Sequence, residues 1–167
     1  MMEQPRIINN RIFYDERGSF SPLSLLELGK EWKQSNVSVN PKKFTLRGLH
    51  YQTGETSQAK LVKVINGKII DFVVDLRIHL RPYNNCQFFE MKSGDELIVP
   101  RGFAHGFITL EENTVVQYLV DNDYSPNTEG SILWSSFSDI KKEILKLDST
   151  FDISNIIISQ KDLIEKS

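Results

Sequence analysis

The chain of 167 residues has a single cysteine, Cys86, which excludes an intrachain disulfide and a cysteine-ligated metal cluster. It also lacks long apolar runs, since none approaches the ~20 residues that a membrane-spanning helix needs. Residues 1–6 lack the apolar core of a signal peptide. We therefore expect a soluble, cytoplasmic protein with no membrane partner.

An excess of basic residues is absent as well. The formal net charge is −2 and the isoelectric point is about 5.9, whereas nucleic acids and anionic membranes bind basic faces. We therefore expect no nucleic-acid partner. With 40% hydrophobic residues, the chain can bury the core of one domain, since single domains commonly have ~100–200 residues. We expect one domain over residues 1–167, with residues 138–167 as a less well defined C-terminal extension.

Short β-prone runs dominate the middle of the chain, and turn residues separate them. Two of these runs flank Asn66-Gly67, a strong signal for a hairpin turn because both residues tolerate a positive φ. Helical periodicity is confined to residues 23–32 and 139–147. The pattern predicts an all-β protein, an antiparallel β-sandwich or small barrel with short peripheral helices. The predicted strands cover residues 59–65, 68–76, 86–91, 96–99, 106–110 and 114–120.

Three histidines are present: His50, His79 and His105. His50 lies in the segment LRGLHYQ (46–52), with Arg47 three residues before it and Lys60 ten residues after it. Unpaired buried charges are costly in a core. Gathered in one barrel, these side chains would instead form a cationic pocket with one titratable base. Such a pocket suits a phosphorylated anion and stabilises an enolate.

No metal site or cofactor motif is predicted. Metal-binding β-sandwich barrels often carry histidines at positions i and i+2 of a strand, and the residue two places after His50 is Gln52. His79 lies in a predicted loop. A nucleophile elbow, a phosphate-binding glycine loop and a dinucleotide fingerprint are all missing. We expect acid–base chemistry without a metal or a cofactor.

Several colinear segments, spanning about residues 8–136, carry a family resemblance. Through them the chain resembles the dTDP-4-dehydrorhamnose 3,5-epimerase family of deoxysugar and surface-polysaccharide biosynthesis. The resemblance implies a jelly-roll (cupin-type) fold, a homodimer and a nucleotide-diphosphate sugar as substrate. The matching segments are DERGSF (15–20), QSNVS (34–38), LRGLHYQ (46–52), QAKLV (58–62), VVDLR (73–77), VPRGFAHGF (99–107), Tyr118 and YSP (124–126).

The resemblance also implies a mechanism, the inversion of C3, C5 or both in a 4-keto-6-deoxysugar. The C4 ketone acidifies the neighbouring C–H groups, because the resulting carbanion delocalises onto oxygen as an enolate. His50 matches the family's base, Tyr118 the acid that returns a proton from the other face, and Lys60 the cation beside the enolate oxygen. The positions that match substrate contacts are Arg17, Phe20, Gln34, Asn36, Arg47, His105 and Tyr124.

The sequence departs from the family pattern at two places. Family members usually have Asn-Asp-Pro after the tryptophan matched by Trp134, and we expect that Asp to be the partner of the catalytic histidine. Ser136 occupies this position, so His50 is expected to lack a carboxylate partner unless Asp139 replaces it. In the N-terminal segment, Pro22 stands where an acidic residue is common, which leaves the identity of the nucleotide open.

Two alternative functions stay open. One is a sugar 3,4-ketoisomerase of the same lineage, whose members typically have a second histidine close after the first. Gln52, two positions after His50, argues against this hypothesis. The other is a sugar-nucleotide-binding module that has lost the chemistry. The carboxylate expected to be missing at Ser136 favours this second alternative, whereas the presence of His50, Lys60, His105 and Tyr118 together argues against it.

Overall fold

In the part of the chain that the structure describes, two five-stranded antiparallel sheets form the body of the protein, and a separate two-stranded hairpin lies between their first and second strands along the sequence. The computed structural model describes residues 3–8, 12–22, 29, 31–77 and 86–166. Sheet I has the strand order β1-β9-β6-β11-β4, and sheet II has the order β12-β5-β10-β7-β8. The strands are β1 (Arg6–Ile8), β2 (Phe13–Asp15), β3 (Gly18–Phe20), β4 (Gln34–Asn40), β5 (Leu46–Gln52), β6 (Lys60–Asn66), β7 (Lys68–Asp75), β8 (Cys86–Lys92), β9 (Glu96–Val99), β10 (Phe103–Thr109), β11 (Thr114–Val120) and β12 (Glu129–Ser131).

One α-helix, α1 (Ser138–Leu147), follows the sheets. Short 3-10 helices cover Gly54–Thr56, Trp134–Ser136, Ile153–Asn155 and Gln160–Leu163. Among the residues that the structure describes, no helix is both long and apolar enough to cross a membrane.

Sheet II is covered on both faces, which explains its nearly continuous apolar strands. One apolar cluster joins the inner faces of the two sheets, with Val62 and Val116 from sheet I and Val73 from sheet II. A second cluster packs the outer face of sheet II against Ile140 and Ile144 of α1. The C-terminal segment is therefore anchored to the body of the sandwich.

The predicted fold class is confirmed. The six predicted strands correspond to β6 to β11, and the helix predicted over 139–147 is α1. All pairings between the described strands are antiparallel. Most of the helix predicted over 23–32 lies outside the described residues, as does His79.

The hairpin predicted at Asn66-Gly67 is wrong. Strand β6 pairs with β9 and β11, whereas β7 pairs with β8 and β10, so the turn carries the chain from one sheet to the other. Gly67 has φ +89°, and a Cβ there would clash with the Thr114 hydroxyl. Asn66-Gly67 does reverse the chain. The flanking strands β6 and β7 are buried in different sheets, however, and this burial determines the strands with which they pair.

A register shift between β5 and β10 shapes one end of sheet II. His105 pairs with His50 and Phe107 pairs with Arg47, so β5 has one more residue than β10 over this stretch. Such a bulge places two side chains three positions apart on the same face. The strands approach closely here, since a Cβ at Gly48 would lie 2.6 Å from the His105 carbonyl oxygen. Arg47 and His50 therefore face the same cavity.

Candidate active site

A cavity of about 410 Å³ lies between the two sheets. Sheet I contributes side chains from β4, β6 and β11, and sheet II contributes side chains from β5 and β10. The loop before β12 and the C-terminal segment complete the wall. The predicted site residues that line it are His50, Tyr118, Lys60, Gln34, Asn36, Arg47, His105 and Tyr124.

Two of the predicted substrate contacts do not line this cavity. Arg17 and Phe20 belong to the β2–β3 hairpin. The Arg17 side chain is 84% exposed and pairs with Asp15, and Phe20 is 66% exposed. The structure therefore does not bring these two residues together with the others within one chain.

A carboxylate holds the His50 imidazole. The Nε2 atom of His50 lies 2.8 Å from Oδ1 of Asp162, and the other oxygen of Asp162 accepts a hydrogen bond from the Gly48 N–H at 3.1 Å. Burial disfavours ionisation of Asp162, but the hydrogen bonds from His50 and Gly48 outweigh it and lower the pKa of this carboxyl. An ionised carboxylate only accepts hydrogen bonds. Nε2 of a neutral His50 therefore carries the proton, and Nδ1 is the basic atom.

The prediction that Ser136 occupies the place of the partner carboxylate is wrong. Ser136 is exposed, in the 3-10 helix Trp134–Ser136, and is not among the residues that line the cavity. Asp139 is bound to Lys142 on the surface of α1. The carboxylate comes instead from the chain terminus, which returns to the sheet after α1 and pairs Ser131 with Lys166. Spacing along the sequence cannot reveal a partner that arrives from so distant a segment.

A second imidazole–carboxylate pair lies behind the first. His105, the cross-strand neighbour of His50, has its Nε2 atom 2.7 Å from Oδ2 of Asp71. Both side chains are buried, and burial raises the pKa of the Asp71 carboxyl. Asp71 was not predicted from the sequence. Its position in the middle of the apolar run KIIDFVVDL was a usable signal, because a buried carboxylate needs a partner.

The Lys60 ammonium is a titratable group in the same cavity. Burial lowers the pKa of Lys60 to about 8, while the negative charges of Asp71 and Glu129 partly oppose this shift. Its Nζ atom is 3.5 Å from the His50 carbonyl oxygen. Lys60 therefore places a positive charge beside the histidine below a pH of about 8 and loses that charge above it.

Tyr118 stands on the wall opposite His50. It lies on β11 of sheet I, paired with Asn36 of β4, whereas His50 lies on β5 of sheet II. Within the described residues its hydroxyl has no hydrogen-bond partner. The Gln34 amide nitrogen donates to the Asn36 side-chain oxygen at 2.6 Å, so these two amides form a polar pair beside Tyr118.

A charged group at the rim of the cavity was also missed. Glu129 accepts hydrogen bonds from the Tyr124 hydroxyl at 3.1 Å and from the Lys161 ammonium at 2.7 Å. Burial opposes ionisation of Glu129, but these two hydrogen bonds lower its pKa overall. Lys161 immediately precedes Asp162, so this ion pair helps to hold the segment that supplies the carboxylate.

Gln52 holds a loop of the site. Its buried amide nitrogen donates to the carbonyl oxygens of Thr56 and Asp123 at 2.6 and 3.0 Å, and its oxygen accepts from the Ser125 N–H at 2.8 Å. The amide thus fixes the loop that carries Tyr124. In the part of the chain that the structure describes, no three His, Cys, Asp or Glu side chains are grouped as metal ligands would be.

Known proteins of one family are similar to this chain. A model of the dTDP-4-dehydrorhamnose 3,5-epimerase family matches residues 2–167. The chain belongs to this family. It is therefore an isomerase, and the cupin-type fold expected from the sequence is confirmed.

Individual members of the dTDP-4-dehydrorhamnose 3,5-epimerase family are similar over most of their length. The Salmonella typhimurium enzyme is 39% identical over 138 residues, covering 77% of this chain and 75% of its own. The Bacillus anthracis enzyme, crystallised with TDP and PPi bound, is 34% identical with a TM-score of 0.79, and the match covers 96% of this chain and 92% of that chain. The Legionella pneumophila enzyme, in complex with dTDP-4-keto-L-rhamnose, is 31% identical with a TM-score of 0.78, covering 97% and 86%.

Proposed function

We propose that the chain is a cofactor-independent epimerase that inverts C3 and C5 of a nucleotide-diphosphate 4-keto-6-deoxysugar. The observation that carries this proposal is the placement of a base and an acid on opposite walls of one cavity. His50, with its partner Asp162, lies on sheet II, and Tyr118 lies on sheet I. Inversion of a carbon requires a proton to leave one face and another to arrive on the opposite face.

The proposed reaction begins with proton transfer from the sugar to Nδ1 of His50. The electron pair of the broken C–H bond moves towards the C4 carbonyl, which becomes an enolate oxygen beside the Lys60 ammonium. Asp162 stabilises the imidazolium that forms, because its ionised carboxylate accepts the Nε2–H bond. Tyr118 then donates its phenolic proton to the opposite face of the carbon, which restores the C4 ketone with inverted configuration.

The substrate is proposed to carry a thymidine diphosphate. Relatives with clear similarity are named for dTDP sugars, and one was crystallised with TDP. Arg47 offers a guanidinium at the cavity, a group whose planar geometry matches phosphate oxygens. A place in dTDP-rhamnose synthesis for surface polysaccharides follows from this substrate.

We also propose that the protein is a homodimer in which the β2–β3 hairpin of one chain reaches the cavity of the other. The hairpin exposes aromatic side chains, with Phe13, Tyr14 and Phe20 at 54%, 77% and 66% exposure. Such side chains are enriched at protein interfaces. In this arrangement, Arg17 and Phe20 act as substrate contacts for the partner.

Neither alternative function gains support. The binding-module reading depended on a missing carboxylate, and Asp162 supplies one at 2.8 Å from His50. The ketoisomerase hypothesis required a second histidine near Gln52, whose amide is instead hydrogen-bonded to Thr56, Asp123 and Ser125.

Proton exchange in D2O tests the proposed function. The protein is incubated with dTDP-4-keto-6-deoxyglucose, and the C3 and C5 proton signals are followed by NMR. We expect both signals to disappear as the enolate at each centre is reprotonated with deuterium. Loss of one signal would restrict the activity to a single centre. No loss with this substrate or with other nucleotide-linked 4-keto sugars would contradict the proposal.

A further inference from the structure

A buried amide lies immediately behind the cavity wall. Asn40, at the end of β4, is 1% exposed and does not itself line the cavity. Its Nδ2 atom donates to the carbonyl oxygens of Ser38 and Thr114 at 3.2 and 3.1 Å. Its Oδ1 atom accepts from Nε of Arg47 at 2.9 Å and from the Ser38 hydroxyl at 3.2 Å. Both N–H groups of the Asn40 amide therefore donate hydrogen bonds.

The two carbonyl groups determine which way this amide faces. Carbonyl oxygens only accept hydrogen bonds, so the Asn40 NH2 group must point towards Ser38 and Thr114. The reversed amide would place its oxygen against both carbonyl oxygens and its NH2 group against the Arg47 Nε–H. The oxygen of Asn40 is therefore held towards Arg47, and this bond joins sheet I to sheet II.

The hydrogen bond from Arg47 to Asn40 orients the Arg47 guanidinium. The group is planar, so a bond at Nε constrains the plane that also contains the two terminal nitrogens. Among the described residues, those terminal nitrogens have no hydrogen-bond partner, and Arg47 lines the cavity. Two parallel N–H groups at the edge of a guanidinium match two oxygens of a phosphate.

We propose that Asn40 is a positioning residue that orients Arg47 for the diphosphate of the substrate. The inference rests on the proposed function, in which Arg47 binds that diphosphate. An arginine side chain loses substantial rotamer freedom when it is ordered. Asn40 removes this cost before the substrate arrives, as preorganisation does in general.

Calorimetric titration with TDP and with thymidine tests this role. Thymidine has the same nucleoside but no phosphate, so Arg47 cannot bind it through a diphosphate. For Asn40→Ala we expect about tenfold weaker TDP binding, which is about 1.4 kcal/mol, and unchanged thymidine binding. In turnover, KM for the nucleotide sugar should rise while kcat is retained, because binding is lost equally in the ground state and the transition state.

Matched variants separate positioning from a purely structural effect. Ser38→Ala removes the other hydrogen bond to the Asn40 oxygen but keeps the Arg47 bond, so TDP affinity should stay at the wild-type value. In an Arg47→Ala background, Asn40→Ala should cause no further loss of TDP affinity. Asn40→Ser keeps a donor for one carbonyl but is too short to reach Arg47, and it replaces Asn40→Ala if the alanine variant does not fold.

The outcomes that overturn the inference differ from those that overturn the proposed function. Equal TDP affinity of the wild type and the Asn40 variants, or a parallel loss of TDP and thymidine binding, would overturn the role of Asn40 alone. A wild-type protein that binds neither TDP nor the nucleotide sugar would overturn the proposed function and this inference with it.

Discussion

Replacing Asp162 with asparagine is expected to lower kcat by about 10⁴-fold, because a carboxylate that sets the tautomer of a catalytic histidine contributes on this scale. Asp162 accepts hydrogen bonds on both oxygens, from His50 and from Gly48. An amide can accept on only one side. If its oxygen stays with Gly48, its NH2 group faces His50 and forces the proton onto Nδ1, so the basic atom is lost. If the amide is reversed, the NH2 group opposes the Gly48 N–H.

The control variants for this prediction are at Ser136 and Asp139, the two positions considered from the sequence for the partner carboxylate. Ser136→Ala and Asp139→Asn should retain wild-type kcat, since Ser136 lies outside the cavity and Asp139 is bound to Lys142. Steady-state turnover and thermal unfolding of all three variants are compared. A fully active, folded Asp162→Asn protein would show that the carboxylate does not support the base.

Replacing Lys60 with methionine, which keeps most of the length but removes the charge, is expected to lower kcat by about 10²-fold. This is the scale of losing one group that stabilises developing negative charge in a buried site. The Lys60 side chain lines the cavity, and its ammonium lies 3.5 Å from the His50 carbonyl oxygen. We expect substrate affinity to change less than kcat, because the enolate charge exists only in the transition state and the intermediate.

The pH dependence provides a second test of Lys60. Burial lowers the pKa of Lys60 to about 8, so its positive charge is present below that pH and is lost as the pH rises through it. The kcat/KM value of the wild type should therefore fall above pH ~8, since this parameter reports groups of the free enzyme. In Lys60→Arg this fall should vanish, because a guanidinium keeps its charge. Lys63→Arg, at an ion pair with Glu96 outside the cavity, should keep the wild-type profile.

The positions of the strands could be predicted from the sequence, whereas their pairing in the sheets could not. Alternating and apolar runs placed β6 to β9 and β11 to within one residue at each end, because half-buried and fully buried strands leave a clear pattern. The first three residues of β10 were missed. The partners of these strands did not follow. Asn66-Gly67 has the composition of a hairpin turn, yet it connects two sheets, since strand pairing depends on the packing of whole layers rather than on the turn.

The residues of the site likewise include some that could be predicted from the sequence and some that could not. His50, Lys60 and Tyr118 were predicted from segments that resemble a family, and the structure brings them to one cavity. Asp162 was missed because the short polar segment around it follows an apolar run and shows no local signal of a site. Asn40 has no recognisable motif either, since its relevance comes only from two backbone carbonyl groups and a neighbouring arginine.

The most direct test of the central claim is the rate of deuterium exchange at C3 and C5 in His50→Asn, measured by NMR with dTDP-4-keto-6-deoxyglucose in D2O. We expect exchange to fall to the uncatalysed background, because this variant lacks the base that removes the proton. Tyr118→Phe serves as the comparison, since it should still exchange while inverting slowly. Exchange at the wild-type rate in His50→Asn would show that another group removes the proton.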